Sequence, residues 1–363
     1  MSFPKRKKGI IIFIIIAIVV IAGIFYFLFS SKLLNSNKSK GLSDTVGSQN
    51  LVSDNNILQA ACKNAFDDYP QWTRKETDII FWENPDKSFS FRNSPEDSST
   101  ILSSPIPPTE TLVDMDFIEL NEISYVATGD NVWKIGLLKI NPYEKSLIYE
   151  KNETSSFINI SPINKNEFII FSSNGNKATL RYLNMSNSDE KILLNALVKN
   201  TDSLKLAVSP KGTDFYLLDD GILKVFEISS KKQSDEINLV ESAVWIGNDH
   251  ILYSGSKGSS IYNVSSKEKV KVEKIDSVLN LTFNPKDGGI IGYEENGDTK
   301  IIGCQKWNII NSKQGAEFKT LTSEKTAITK KGKDYGYWRF KDRDWGVKIL
   351  ENDSKYVTIW QRY

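Results

Sequence analysis

The sequence LAVSPKGTDFYLL, at residues 206–218, contains the pattern that decides the fold. It begins with an apolar triplet, continues through a polar segment that contains Pro and Gly, and ends in a run of aromatic and aliphatic residues. Short apolar runs of this composition are typical of β-strands, and Pro and Gly between them favour a tight turn. The stretch therefore predicts a β-hairpin.

The same pattern recurs along the chain. Its turn positions fall at 84, 121, 161, 209, 247, 284 and 329, with a mean spacing of about 41 residues. Units of about 40–45 residues with four short strands are typical of β-propeller blades, whereas helical repeats would show a 3.6-residue periodicity that is not seen here. We therefore predict an all-β fold, a β-propeller of about seven four-stranded blades, over residues 78–363. Prolines within residues 103–108 interrupt the first unit, so six blades is the alternative.

The segment Ser209-Pro210-Lys211-Gly212 resembles the Ser-Pro-Asp-Gly hallmark of TolB-type and related WD-like propeller repeats. Lys211 stands at the hallmark Asp position, partial matches occur at positions 161–162 and 284–285, and no repeat carries a Trp-Asp pair. The resemblance implies that the tetrapeptide turns between the first two strands of a blade. It implies a fold and no particular activity, because propellers serve many functions.

The last strand of the chain is expected to complete the ring. Residues 355–362, KYVTIWQR, alternate strongly and come at the end of the final unit. Closing the ring would protect sheet edges that an open array exposes. Truncation at Asn352 is therefore expected to be damaging.

An apolar segment precedes the repeats. Residues 9–29 carry no charge, are long enough to cross the ~30 Å hydrocarbon core of a bilayer, and follow the basic residues 5–8. This pattern predicts a single-pass anchor with a cytoplasmic basic tail at residues 1–8 and everything after the span outside the plasma membrane. A cleavable signal peptide is the alternative, but the apolar run is too long and no small-residue cleavage site follows it.

Between this segment and the repeats lie a stalk and a neck. Residues 30–56 are rich in Ser, Asn, Lys and Gly, which predicts a flexible stalk. The neck, residues 57–77, contains a predicted short helix at 57–66. Cys62 in this helix and Cys304 are the two cysteines of the chain. On the oxidising side of a membrane they could form a disulfide, and two buried free thiols are the alternative.

Composition excludes several classes of chemistry. Lys and Arg balance Asp and Glu to a net charge of +1, which argues against nucleic acid as a partner. His250 is the sole histidine, so zinc sites and Ser-His-Asp catalysis are not expected. We assign no catalytic, metal-binding or cofactor-binding residue and expect no cofactor. Local carboxylate pairs such as Asp219-Asp220 are interpreted as turn residues, residues 342–346 as a solvated hairpin, and the aromatic residues from 335 to 340 as core.

These features lead to two functional hypotheses. The first is a single-pass, membrane-anchored extracytoplasmic propeller that acts as a protein-interaction scaffold or cell-envelope assembly component, with membrane lipid around residues 9–29 and a protein partner. The second is a carbohydrate- or ligand-binding propeller, a sensor or a glycosidase-like enzyme. Acidic and aromatic side chains converging at the central channel would favour the second; we favour a non-enzymatic role.

Overall fold

The computed structural model describes residues 59–63, 65–69, 79–94, 97–197, 204–323, 325–340, 346–350 and 355–358. The predicted span at 9–29, the stalk at 30–56 and the hairpin at 342–345 lie outside these residues. Among the described residues, no helix has both the length and the apolar character needed to cross a membrane. Residues 59–63 and 65–68 are helical, and nearly all other regular structure is β.

The described strands form seven four-stranded antiparallel sheets, which are the seven blades of a β-propeller. In order from the channel outward, blade 1 contains β28 (Tyr356–Thr358), β1 (Ile80–Glu83), β2 (Phe89–Arg92) and β3 (Thr100–Leu102). Blade 2 contains β4 (Thr111–Glu119), β5 (Glu122–Gly129), β6 (Val132–Lys139) and β7 (Glu144–Lys151). Blade 3 contains β8 (Phe157–Asn164), β9 (Glu167–Asn174), β10 (Lys177–Asn184) and β11 (Asp189–Leu197).

The remaining four blades follow the same plan. Blade 4 contains β12 (Lys205–Val208), β13 (Asp214–Asp219), β14 (Ile222–Glu227) and β15 (Lys232–Asn238). Blade 5 contains β16 (Val240–Trp245), β17 (His250–Gly255), β18 (Gly258–Asn263) and β19 (Lys269–Val272). Blade 6 contains β20 (Leu279–Asn284), a 3-10 turn (Lys286–Gly288), β21 (Ile290–Glu295), β22 (Asp298–Gly303) and β23 (Asn308–Lys313). Blade 7 contains β24 (Glu317–Leu321), β25 (Thr326–Lys331), β26 (Asp334–Arg339) and β27 (Gly346–Leu350).

The antiparallel strand order gives the ring two distinct faces. Turns after the first and third strands of each blade, such as residues 209–213 and 246–249, lie on one side, which we call the neck face. Turns after the second strands, such as residues 220–221, and the connections between blades lie on the other side, which we call the distal face.

Ring closure is confirmed. The C-terminal strand β28 pairs with β1, so that Thr358 lies opposite Ile80 and Tyr356 opposite Trp82, and the Glu83 amide donates to the Lys355 carbonyl at 2.9 Å. Blade 1 is therefore assembled from both ends of the repeat region. This arrangement explains the weak first unit, because its innermost strand comes from the far end of the chain.

The predicted turns at 121, 209, 247 and 284 lie at or next to the turns between first and second strands, and three others were misplaced. Ser161 and Pro162 lie inside β8, and the turn follows at residues 165–166. Residue 84 begins the turn after the second strand of blade 1, and Thr329 lies within β25, the second strand of blade 7. In blades 1 and 7 the sequence pattern therefore matches the hairpin between the second and third strands instead of the one between the first and second strands.

The core lies between blades, where side chains of adjacent sheets interdigitate. Trp133, Trp245 and Trp338 are fully buried. Tyr337 and Phe340, which lie on either side of Trp338 in the aromatic run at 335–340, are also buried, as its interpretation as core predicts. Side chains on the innermost strands also join neighbouring blades by hydrogen bonds. Examples are Val208 N to Ser161 Oγ at 3.2 Å, Leu281 N to Ser242 Oγ at 3.0 Å and Trp245 Nε1 to the Ala207 carbonyl at 3.1 Å.

Candidate functional site

All seven innermost strands line one central cavity of about 350 Å³. The volume is at the lower end of the range for small-molecule sites. Ten of its lining residues have polar side chains: Asp114, Asp116, Asn159, Lys205, Tyr216, Asn280, Thr282, Lys319, Thr320 and Tyr356. The channel is thus the place where polar and charged side chains from separate blades meet.

Two aspartates on β4 form one side of the channel. Asp114 Oδ2 accepts hydrogen bonds from the Ile160 amide at 2.8 Å and Asn159 Nδ2 at 3.0 Å, so its carboxyl group clamps blade 2 to blade 3. Burial raises the pKa of Asp114 to about 7, against the lowering effects of the backbone amides of Ile160 and Met115 and of the Lys355 charge. Asp116 is buried two residues further along the strand.

Two lysines from blades 4 and 7 also line the channel. Lys319 Nζ lies 2.8 Å from Glu317 Oε2. Lys205 forms no ion pair or hydrogen bond with its ammonium group among the described residues, and burial, followed by repulsion from Lys319, lowers its pKa. Neither lysine is among the residues predicted from sequence; the one signal in the sequence is that a lysine, Lys205, begins an otherwise apolar innermost strand.

The channel tyrosines are built into the wall. Tyr216 donates its hydroxyl hydrogen to the Ala243 carbonyl at 2.8 Å, which joins blades 4 and 5. Tyr356 packs edge-on against Tyr335 with ring centroids 5.7 Å apart. Acidic and aromatic residues therefore do meet in the channel. The contacts of Asp114, Tyr216 and Tyr356 hold neighbouring blades together.

The neck helix is attached to the neck face. Cys62 and Cys304 form a disulfide, with their Cα atoms 5.7 Å apart, and both residues are buried. Tyr69 donates to the Trp245 carbonyl at 2.9 Å. The disulfide and this hydrogen bond fix the neck to blades 5 and 6.

Asp68 explains the departure from the hallmark tetrapeptide. Its Oδ1 lies 2.6 Å from Lys211 Nζ, and its Oδ2 accepts from the Asn248 amide at 2.7 Å. Lys211 occupies the position where the hallmark has Asp, and an Asp there would repel Asp68. The lysine is therefore suited to holding the neck helix.

The distal face carries two exposed leucines at the start of blades 5 and 6. Leu239, just before β16, is 52% exposed and has a positive φ of 66°. Leu279, the first residue of β20, is 46% exposed. Positive φ in a bulky residue that is not glycine is a rare conformation with a cost of about 1 kcal/mol.

The remaining sequence candidates have structural roles. His250 Nε2 and Asn263 Nδ2 lie 3.0 Å apart across neighbouring strands, and burial lowers the pKa of this imidazole. Asp220 and Gly221 have positive φ values of 45° and 77°, as a type I′ hairpin turn requires, which confirms the turn interpretation. No group of three metal-ligating side chains occurs in the described ranges.

Comparison with solved structures agrees with the fold of the described strands, a seven-bladed β-propeller. One chain in the crystal structure of a mitotic checkpoint complex aligns with a TM-score of 0.52 and 12% identity, over 69% of this chain and 81% of that one. Kluyveromyces lactis Hsv2 aligns with a TM-score of 0.48 and 8% identity, over 67% of this chain and 84% of its own. No family model and no curated protein sequence matches this chain. At these identities the likeness is one of fold alone.

Proposed function

We propose that this protein is a single-pass, membrane-anchored extracytoplasmic propeller that serves as a protein-interaction scaffold in the cell envelope. The observation that carries the proposal is the attachment of the neck helix to the neck face through Asp68, Tyr69 and the disulfide. The distal face is left for a partner, and a WD40-like ring fits a scaffold role. A disulfide also suits the oxidising side of a membrane.

The distal face offers a specific contact surface. Leu239 keeps an apolar side chain in solvent on a backbone conformation that an asparagine would tolerate better. Strained residues of this kind concentrate at functional sites, where a contact compensates for their cost. Leu239 and Leu279 are therefore the residues through which we expect the partner to bind.

The alternative, a glycosidase-like or carbohydrate-binding propeller, has less support. Hydrolysis of a glycosidic bond needs two carboxyl groups flanking the sugar. Asp114 and Asp116 lie on a single strand, and the Asp114 carboxylate is occupied by donors of blade 3. The channel geometry therefore favours a binding role over hydrolysis.

Affinity purification of the full-length chain in detergent tests the scaffold proposal. We expect one envelope protein at near-equal stoichiometry with the wild type, and its loss from the Leu239→Asn/Leu279→Asn variant. Leu147→Asn is the matched control, because Leu147 on the outermost strand β7 is 57% exposed and should not matter. Recovery of the bare wild-type protein would contradict the scaffold role. Equal recovery by the double variant would exclude the distal face as the contact.

Protease protection tests the proposed topology. In intact cells from which any outer wall or outer membrane has been removed, added protease should degrade residues 78–363, and an epitope placed at residues 1–8 should remain protected. Protection of both regions, or release of the propeller into the medium, would contradict the anchor.

A further inference from the structure

Lys205 is a charged residue that has no carboxylate partner among the described residues. It begins β12 and lines the central cavity. An ammonium ion enclosed by protein is costly unless it is paired, because the lost hydration is not replaced. A lysine in this position therefore needs an explanation beyond packing, since a methionine of similar length would fill the space at lower cost.

A second lysine increases that cost. Lys319 of β24 lines the same cavity, and its charge disfavours the protonated form of Lys205. Lys319 has Glu317 as a partner, whereas Lys205 has none in the described part of the chain. Lys205 therefore places in the cavity a positive charge that no described carboxylate pairs.

Asp114, an aspartate of the same cavity, does not neutralise this charge. Asp114 is engaged by Ile160 N and Asn159 Nδ2, and Lys355 is the cation that acts on it. Neither lysine of the cavity is among its electrostatic partners. Asp114 is therefore not the counter-charge of Lys205.

Uncharged polar atoms of the wall are also without partners. Thr282 Oγ1 and Asn159 Oδ1 are buried and form no hydrogen bond with any described residue. Both residues line the cavity. The described part of the channel wall therefore contains polar atoms whose hydrogen-bonding capacity is unused.

We propose that the central channel binds a small oxyanion, a carboxylate or phosphate group of a low-molecular-weight solute, between Lys205 and Lys319. The cavity of about 350 Å³, enclosed by seven strands, admits a small molecule and excludes a folded domain. The oxyanion supplies the counter-charge that Lys205 lacks among the described residues. This site is separate from the distal face and does not depend on the scaffold role.

Thermal unfolding of the full-length chain in detergent, followed by intrinsic tryptophan fluorescence, tests the site. The probes are inorganic phosphate and succinate, each compared with chloride at constant ionic strength, so that the two arms separate a phosphate from a carboxylate ligand. We expect at least one probe to raise the wild-type Tm by about 2 °C or more at saturation. Lys205→Met should unfold at a higher Tm than the wild type in chloride and show no response to either probe.

Lys232→Met is the matched control, because Lys232 is an exposed lysine at the first position of the outermost strand β15. It should respond to the probes as the wild type does. The proposal is overturned if neither probe stabilises the wild type, or if Lys205→Met is stabilised as much as the wild type. A Lys205→Met variant that is less stable than the wild type in chloride would also contradict it, since the lysine would then be a packing residue.

Discussion

Gly255 shows how one missing side chain permits the junction between blades 4 and 5. It is the last residue of β17, and an added Cβ would overlap the carbonyl oxygen of Leu239, which precedes β16. The obstacle is backbone, so no rotamer change can relieve it. We expect Gly255→Ala to lower the free energy of unfolding by about 2–4 kcal/mol, measured by chemical denaturation.

The matched control is Gly129→Ala, at the end of the second strand of blade 2. An added Cβ there would lie 3.3 Å from Glu110 Cγ, a flexible side-chain atom. This variant should cost less than about 1 kcal/mol. Equal effects at the two positions would show that the close approach of Leu239 is not what restricts Gly255.

Asp114 should make stability depend on pH. Its pKa is about 7 in the folded chain and about 3.9 when unfolded, so between these values the unfolded state releases a proton that the folded state retains. Stability is therefore full near pH 4 and falls as the pH rises to 7, by at most about 4 kcal/mol. Asp114→Asn should lose this fall, as measured by denaturation at pH 4.5 and 7.5.

The control is Asp130→Asn, in an exposed turn of the distal face. It should keep the wild-type pH dependence. If Asp114→Asn also keeps it, the Asp114 carboxyl is ionised at neutral pH and the effect of burial is smaller than we infer.

The neck helix is the element whose attachment is covalent. Because Cys62 and Cys304 are 242 residues apart, their disulfide constrains most of the unfolded chain. We expect Cys62→Ser and Cys304→Ser to lower stability by about 2–4 kcal/mol each, and the double variant to lose no more than either alone. Intact mass after alkylation without reductant should show no modified cysteine in the wild type.

Reduction is the matching control for these variants. A reductant should lower the Tm of the wild type to that of Cys62→Ser and leave the variant unchanged. Alkylation of the unreduced wild type at both cysteines would show instead that they are free thiols.

The strands themselves could be predicted from the sequence more accurately than the position of each strand within its blade. The hairpin at 206–218 was correct because Pro210 and Gly212 fix its turn. At Ser161-Pro162 the same letters lie within a strand, because β8 is long enough to run past them to Asn164. At Thr329 the pattern predicts a turn after a first strand, but this residue lies within the second strand β25, because second strands have the same apolar alternation. Period-2 patterns do not distinguish the strands of one blade.

For the whole molecule, the prediction concerns closure. A chain ending at Asn352 lacks β28 and exposes the edge of β1, so blade 1 loses its innermost strand. We expect this truncation to abolish a single cooperative unfolding transition and to cause aggregation, measured by calorimetry and light scattering. A chain ending at Thr358 keeps the β28–β1 pairs and is the matched control.

If the chain ending at Asn352 unfolds at the wild-type temperature in one transition, the ring does not depend on this strand. Such a result would make the whole predicted strand, residues 355–362, dispensable.

The channel site could not be predicted because only closure of the whole ring creates it. Lys205 and Lys319 are more than a hundred positions apart and come from non-adjacent blades. Each side chain points inward as one alternate residue of an innermost strand, and sequence alone gives no means of pairing alternate residues across a ring. By contrast, the repeat length that sets the blade number is a local property, so it could be measured along the chain.

The disulfide also determines how mechanical tension passes through the protein. A pull on the chain before Cys62 is transmitted through the Cys62–Cys304 bond to the segment between β22 and β23. The residues between Cys62 and β1 then carry none of that tension, and the three-residue pairing of β1 with β28 is shielded from it. Reducing the bond would redirect the same tension onto β1, so a tethered propeller should open at lower force in its reduced form.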